Sequence, residues 1–198
     1  MITGIGPKEH LEEVGVNTIL NKPGVGSNLQ DHLMVTIDAV AKNDEWLGFN
    51  PFASSNPLNY LTWLTSNPYN GPLGDAAIGV GAYFYVPYDN KDPYKRPQIQ
   101  LMSAPFHTLI DWGIGYLDLL GYSDEYYKLN KQNSGTDGMT FLPMLSRPKS
   151  SGTIRLASSN HQDHPLIDPQ YLTHEDDVNT LVEALKIVKK VFDSKHFK

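Results

Sequence analysis

Pro23-Gly24-Val25-Gly26-Ser27-Asn28-Leu29-Gln30-Asp31-His32-Leu33 decides whether the glycines of this chain serve a nucleotide-binding sheet or a turn. A dinucleotide site needs G-x-G-x-x-G after a strand, so that the backbone comes close to the pyrophosphate at a helix N-terminus. Leu29 stands where the third glycine is required, and the pairs Gly4/Gly6 and Gly79/Gly81 fail in the same way, with Glu9 and Phe84 in that place. A doubly wound parallel sheet around a nucleotide is therefore not expected within these residues. The stretch instead runs from a glycine turn into Asn28, Asp31 and His32, an amide, a carboxylate and an imidazole with little apolar cover. Glycine permits positive φ and close approach, Asn28 suits a turn cap, and histidine moves protons near neutral pH. A capped turn entering a strand, with a hydrogen-bonded His-Asp pair, accounts for the same residues without a ligand.

At 198 residues and 40% hydrophobic content, the chain has material for one sizeable core, or one core with an appendage. A net charge of -6 and the absence of a basic stripe argue against a nucleic-acid partner; Lys186, Lys189 and Lys190 are the one basic grouping. With no cysteine there is neither a disulfide framework nor a thiolate zinc site. No window approaches the roughly 18 apolar residues of a membrane span. Localisation is left open.

Periodicity supplies the elements. Gly6-Pro7 predicts a helix start and Gly15 its end, with a short strand over residues 16–20. Residues 34–41 alternate, Val35, Ile37 and Ala39 against Thr36 and Asp38, as in a half-buried strand. Residues 43–54 read as loop, 55–66 as a helix with Leu58, Leu61 and Leu64 in line, and 67–72 as a turn. Residues 76–86 and 99–103 predict strands, with Tyr83, Phe84 and Tyr85 as strand packing. Residues 105–136 lack a clean period and read as a surface excursion, apart from a short helix capped by Ser123. Residues 139–145 and 153–157 predict a hairpin. A final helix is expected with Thr173 as its cap, Asp176 in the capping-box position, and an apolar stripe of Val178, Leu181, Val182, Leu185, Val188 and Phe192. The strands are not joined by regular βαβ alternation, which predicts an α+β class: a mixed or antiparallel sheet flanked by helices.

His161-Gln162-Asp163-His164 has the look of a metal site, but H-x-x-H in a Ser/Asn/Pro-rich turn leaves the ligand directions unspecified, and a polar loop is the reading adopted. No metal is expected. Asp124 and Glu125 suit a solvated helix start better than a paired-carboxylate site. His10, His107, His174 and His196 are read as isolated structural or solvated residues, and Arg147-Pro148-Lys149 fits an anion-attracting cluster and a turn with exposed charges equally well.

Three separated segments carry a resemblance. Thr3-Gly4-Ile5-Gly6-Pro7 is similar to the Ser-Gly-Ile-Gly end of a signature of the glucose-methanol-choline (GMC) family of FAD-dependent alcohol oxidoreductases, with Thr3 in place of Ser. Val25 through His32 matches the family's V-G-x-N-L-Q-D-H. Leu145-Ser146-Arg147-Pro148 through Gly152, then His164-Pro165-Leu166-Ile167-Asp168-Pro169-Gln170-Tyr171-Leu172, resembles the opening of its C-terminal module. The resemblance implies an internal piece of such an enzyme. Residues 1–41 would return from the FAD-binding domain, and 42–198 would form the substrate-binding domain and the start of the C-terminal module, without the Rossmann core. It implies FAD as cofactor, with Asn28, Asp31 and His32 close to the flavin, a small-molecule alcohol such as a sugar or polyol as substrate, and the rest of the parent polypeptide as partner. The family's catalytic histidine pair would lie beyond Lys198, so no catalytic residue is expected within the chain. The alternative is a stand-alone, non-catalytic binding or interaction domain that kept the substrate-domain fold.

Overall fold

The computed structural model describes residues 1–41, 57–65, 79–87, 94, 96–113, 115–195 and 197. Among the described residues the elements in chain order are β1 (Ile5–Gly6), α1 (Lys8–Glu13), β2 (Leu20–Asn21), β3 (Ser27–Leu29), β4 (Ile37–Val40), α2 (Pro57–Thr65), β5 (Val80–Phe84), β6 (Ile99–Ala104), α3 (Tyr116–Leu120), α4 (Asp124–Asn130), a 3-10 turn (Lys131–Asn133), β7 (Gly138–Leu145), β8 (Gly152–Arg155), β9 (Leu166–Asp168) and α5 (Glu175–Phe192). The central layer is a four-stranded antiparallel sheet in the order β4-β7-β6-β5. A second antiparallel sheet joins β3, β8 and β9, and a two-residue parallel pair joins β1 to β2 across α1. This is the expected α+β arrangement, and its one parallel pairing among the described residues is too short to be a nucleotide-binding sheet.

The register of the central sheet sets its two faces. Ile99 lies opposite Leu145, and both are buried beneath α5 with Val86, Leu181 and Ala184. Leu33, Val35, Phe84 and Ile187 pack onto this core. Each large aliphatic side chain withdrawn from water there contributes about 2 kcal/mol. Leu33 matters for position: its carbonyl accepts the Leu145 amide at 2.9 Å, so the polar residues just before it are anchored to the core strand.

Helix α1 ends as expected at Gly15, where φ is 76°. The Val16 amide reaches Leu11 O at 2.8 Å and the Gly15 amide reaches Glu12 O at 3.1 Å, a Schellman arrangement. Pro7 sits at the cap rather than inside the helix, and the following strand is β2, displaced toward the C-terminus of residues 16–20. Ser123 caps α4 as expected, accepting the Tyr126 amide at 3.3 Å.

Several expectations are corrected. Residues 139–145 and 153–157 do not pair with each other: β7 lies between β4 and β6, whereas β8 lies between β3 and β9. The stretch from 105 to 136 is not a surface excursion throughout, because His107, Thr108, Leu109 and Ile110 are buried. The cap of α5 is His174, whose Nδ1 accepts the Asp176 amide at 3.2 Å, while the Thr173 hydroxyl turns back to Gln170 O. Ser150 Oγ accepts the His174 amide at 3.0 Å and so holds that residue at the helix start. The buried face of α5 runs through Asp177, Leu181, Ala184 and Val188, which leaves Val178 and Val182 of the expected stripe exposed. Acids in its first turn and lysines in its last complement the helix dipole. In α2, Leu58, Leu61 and Leu64 are exposed. The loop at 43–54, the turn at 67–72, residues 55, 56 and 66 of the expected helix, and the start of the second expected unit at 42–56 lie outside the described residues.

Candidate functional site around Asp31 and Tyr171

Asn28, Asp31 and His32 lie together on the exposed end of the β3 segment. Asn28 adopts φ 61°, a left-handed conformation that asparagine tolerates better than most residues, and the β3–β8 register shifts between Ser27 and Leu29 around it. The strand thereby changes direction one residue before Leu29. Gln30 then donates from Nε2 to Pro148 O at 3.1 Å, tying the segment to the turn after β7.

Both oxygens of Asp31 are engaged. Oδ1 accepts the backbone amide of His32 at 2.8 Å, and Oδ2 accepts the hydroxyl of Tyr171, 140 residues away in the turn that follows β9. The Tyr171 hydrogen bond, and after it the His32 amide, hold the Asp31 carboxyl below the usual carboxylate range. In return, the bond to Asp31 pushes the Tyr171 hydroxyl up. Asp31 is thus a fixed anion rather than a proton acceptor. A shallow cleft adjoins the pair, lined by Asp31, Leu33, Pro148, Ser150, Tyr171 and Asp177 among others.

The glycines that drew attention in the sequence serve the chain itself. Gly26 has φ 74°, and a Cβ there would lie 2.3 Å from Ile154 O. Its carbonyl accepts the Ile154 amide at 2.8 Å and the Arg155 guanidinium. The close approach is therefore to β8. Gly4 likewise leaves no room for a side chain, with Asn17 O at 2.5 Å. At the start of α1, Pro7 offers no amide and Glu9 adds negative charge, so that end does not suit a pyrophosphate. A further G-x-G pair, Gly113 and Gly115, directs its amides to the Asp111 carboxylate at 2.9 and 2.8 Å. The polar side chains of this segment that lie at the surface beside Asp31 are those of Asn28 and His32.

On the other side of the Pro148 turn, the nearly inaccessible Asp177 accepts the amides of Lys149 and Ser150 and the Ser150 hydroxyl, at 2.9, 2.7 and 2.6 Å. Lys149 Nζ pairs with Asp176, and Arg147 donates to Arg96 O at 2.7 Å. The charged turn is therefore bound to α5 and to the approach to β6, not displayed for an anion. Sequence reading missed both Tyr171 and Asp177. Tyr171 stood in a quoted segment, but nothing local distinguishes a tyrosine that reaches a carboxylate from one that packs.

A second polar cluster was also missed. Asp38, assigned to the polar side of its strand, is covered by the 105–136 stretch. Thr108 Oγ1 and Tyr126 OH reach its Oδ2 at 2.6 and 2.8 Å, and Thr140 Oγ1 reaches Oδ1 at 2.5 Å. Tyr122, stacked on Tyr126, donates to Thr36 at 2.7 Å on the same face. Burial pushes the Tyr126 hydroxyl up to about 12, with Asp38 adding to the rise. Burial also lowers the affinity of His107 for a proton, against the pull of Asp38, whose Oδ2 is 3.8 Å from Nε2. His107 Nδ1 accepts the Leu109 amide, which places the proton of the neutral ring on Nε2. His107 is structural, as expected, but within a network rather than isolated.

His161 and His164 are exposed, and among the described residues no group of three or more potential ligands assembles for a metal. Asp163 between them accepts from Ser158 and Asn160, an ordinary polar turn. His10 accepts the Leu156 amide at 3.0 Å, joining α1 to the end of β8. Asp124 and Glu125 are solvated first-turn acids. Tyr83 and Tyr85 are exposed, and Phe84 packs on the core. No helix among the described residues is long and apolar enough to cross a membrane.

Comparisons with known proteins converge on this architecture. Residues 148–198 match the family model described as GMC oxidoreductase. The chain is 32% identical over 190 residues, 95% of its length, to a glucose dehydrogenase [FAD, quinone] of Drosophila melanogaster, and 30% identical over its whole length to an alcohol dehydrogenase [acceptor] of Pseudomonas putida. It spans 27% and 32% of those relatives. Its fold superposes on 35% of a formate oxidase chain of Aspergillus oryzae RIB40 with TM-score 0.69 and 22% identity, covering 99% of this chain. Residues 148–198 thus belong to the GMC oxidoreductase family, and the chain as a whole is similar to the same group of enzymes over 95% or more of its length.

Proposed function

We propose that the polypeptide carrying these residues is an FAD-dependent oxidoreductase acting on the CH–OH group of a small-molecule alcohol, with sugars and polyols as the first candidates. This chain contributes the substrate-binding domain and, at Asn28, Asp31 and His32, the segment nearest the flavin. The observation that carries the reading is a relationship over 95% of the chain to an enzyme named for FAD and a quinone. FAD, when bound, supplies the acceptor for the hydride that leaves the alcohol carbon.

The chain's own residues divide the remaining work. Asn28 and His32 are exposed, and their polar groups would meet the cofactor when it is bound. Asp31 supplies a fixed negative charge and orients the His32 backbone. Its two hydrogen-bond partners favour the ionised form. We assign the base that removes the alcohol proton to none of Asn28, Asp31 and His32.

The test is to purify the native polypeptide that carries this sequence, record its visible spectrum, and add alcohols anaerobically. Flavin absorption that bleaches with an alcohol is the expected result. A polypeptide without flavin overturns the enzyme reading in favour of a binding domain, and flavin that no alcohol bleaches overturns the substrate class.

A further inference from the structure

The geometry points to Tyr171 as a positioning residue that acts on the flavin-facing segment through Asp31. This rests on the function just proposed. Tyr171 is a surface residue, 42% exposed, in the turn between β9 and α5, so burial of its ring does not explain its placement. Yet the residues on both sides of it are left-handed: Gln170 at φ 51° and Leu172 at φ 59°. Such a conformation is strained for a non-glycine residue and persists only where the surroundings over-determine it.

The surroundings do so here. Asp168 accepts the Gln170 amide at 3.2 Å and its side-chain amide at 3.1 Å. Gln170 O accepts from Thr173. Beneath the turn, Gly152 leaves no space for a Cβ, which would meet Asp168 O at 1.9 Å and Pro169 at 2.5 Å. Gly152 is also the register partner of Leu29, so the turn is pressed against the strand from which Asp31 leaves. The net result is a tyrosine hydroxyl delivered to Asp31 Oδ2, while Oδ1 holds the His32 amide. One rigid relay thus runs from the C-terminal module to the direction of the His32 backbone.

The experiment uses the flavin-containing polypeptide and compares Tyr171→Phe, Asp31→Asn and the double variant. The readouts are the flavin reduction potential, and kcat and KM with an alcohol that bleaches the wild type. The expected result is a shifted potential and a fall in kcat of about tenfold for Tyr171→Phe, with KM changed by less than about twofold. In the Asp31→Asn background, Tyr171→Phe adds nothing further. An equal effect of Tyr171→Phe in both backgrounds overturns the proposal. So does a variant that lowers only the melting temperature and leaves potential and kcat unchanged. Absence of flavin from the wild type is a failure of the proposed function and is read before any variant is made.

Discussion

Asp31 and Asp38 are seven residues apart and meet opposite fates. Asp31 is exposed and held by its neighbour's amide and one tyrosine hydroxyl. Asp38 is covered by a stretch some seventy residues downstream and surrounded by the hydroxyls of Thr108, Tyr126 and Thr140. A carboxylate in water gives little to stability, whereas a buried one with several donors pins together every element that supplies them. The contrast separates a residue whose removal alters a surface from one whose removal loosens the fold.

The strongest way to break this comparison is Asp38→Ala. Thr108 and Tyr126 keep only each other and Thr140 keeps only Phe106 O, so the carboxylate that joins them is lost, and a loss of about 3 kcal/mol is expected in urea unfolding. A loss near that of an exposed aspartate would mean that the 105–136 stretch is not held by this network. Gly152→Ala follows at about 2–3 kcal/mol, since the added methyl meets backbone rather than a yielding side chain. Its measurement is again urea unfolding, and a near-neutral result would remove the basis for the pressed turn under Tyr171.

A pH series sharpens the same contrast. His107 in the folded chain binds its proton below the ordinary 6.5 because of burial, with Asp38 opposing. Between that lowered value and about 6.5 the unfolded chain holds more protons, so stability rises with pH across the window and is lost as pH falls below about 6.5. Comparing urea midpoints at about pH 7.5 and 5.5, with His107→Gln as the reference that lacks the group, should show a smaller drop in the variant. An identical drop in both would place the pH sensitivity elsewhere. The smallest stability effect is expected for Tyr171→Phe, under about 1 kcal/mol in the same assay, because the pair is solvated. A larger loss would make Tyr171 a structural residue of the Asp38 kind.

What could be read locally was read well where the cause is local. Gly15 ends α1 because only the αL conformation closes a Schellman turn there. Ser123 caps α4 for a reason contained in four residues. The failures share a cause of the opposite kind. Thr36 and Asp38 alternate as a solvent face should, and nothing within the strand announces that Tyr122, Tyr126 and Thr108 will cover them. β7 and β8 are adjacent in sequence and each satisfies a strand pattern, but pairing is decided by which partner buries the matching face. The cap of α5 is His174 because Ser150, in the turn between β7 and β8 and held by the buried Asp177, accepts the His174 amide.

By itself, the sequence determined the class of the fold, the absence of a glycine fingerprint from its G-x-G pairs, the family resemblance, and the grouping of Asn28, Asp31 and His32. These depend on periodicity, spacing and motif order, which are properties of short windows. Only the tertiary structure decided that Gly26 and Gly152 approach backbone too closely for a side chain, that Tyr171 meets Asp31, and that Asp38 is largely covered. Those outcomes depend on contacts between residues up to 140 positions apart, and such contacts exist only once the sheets have chosen their partners.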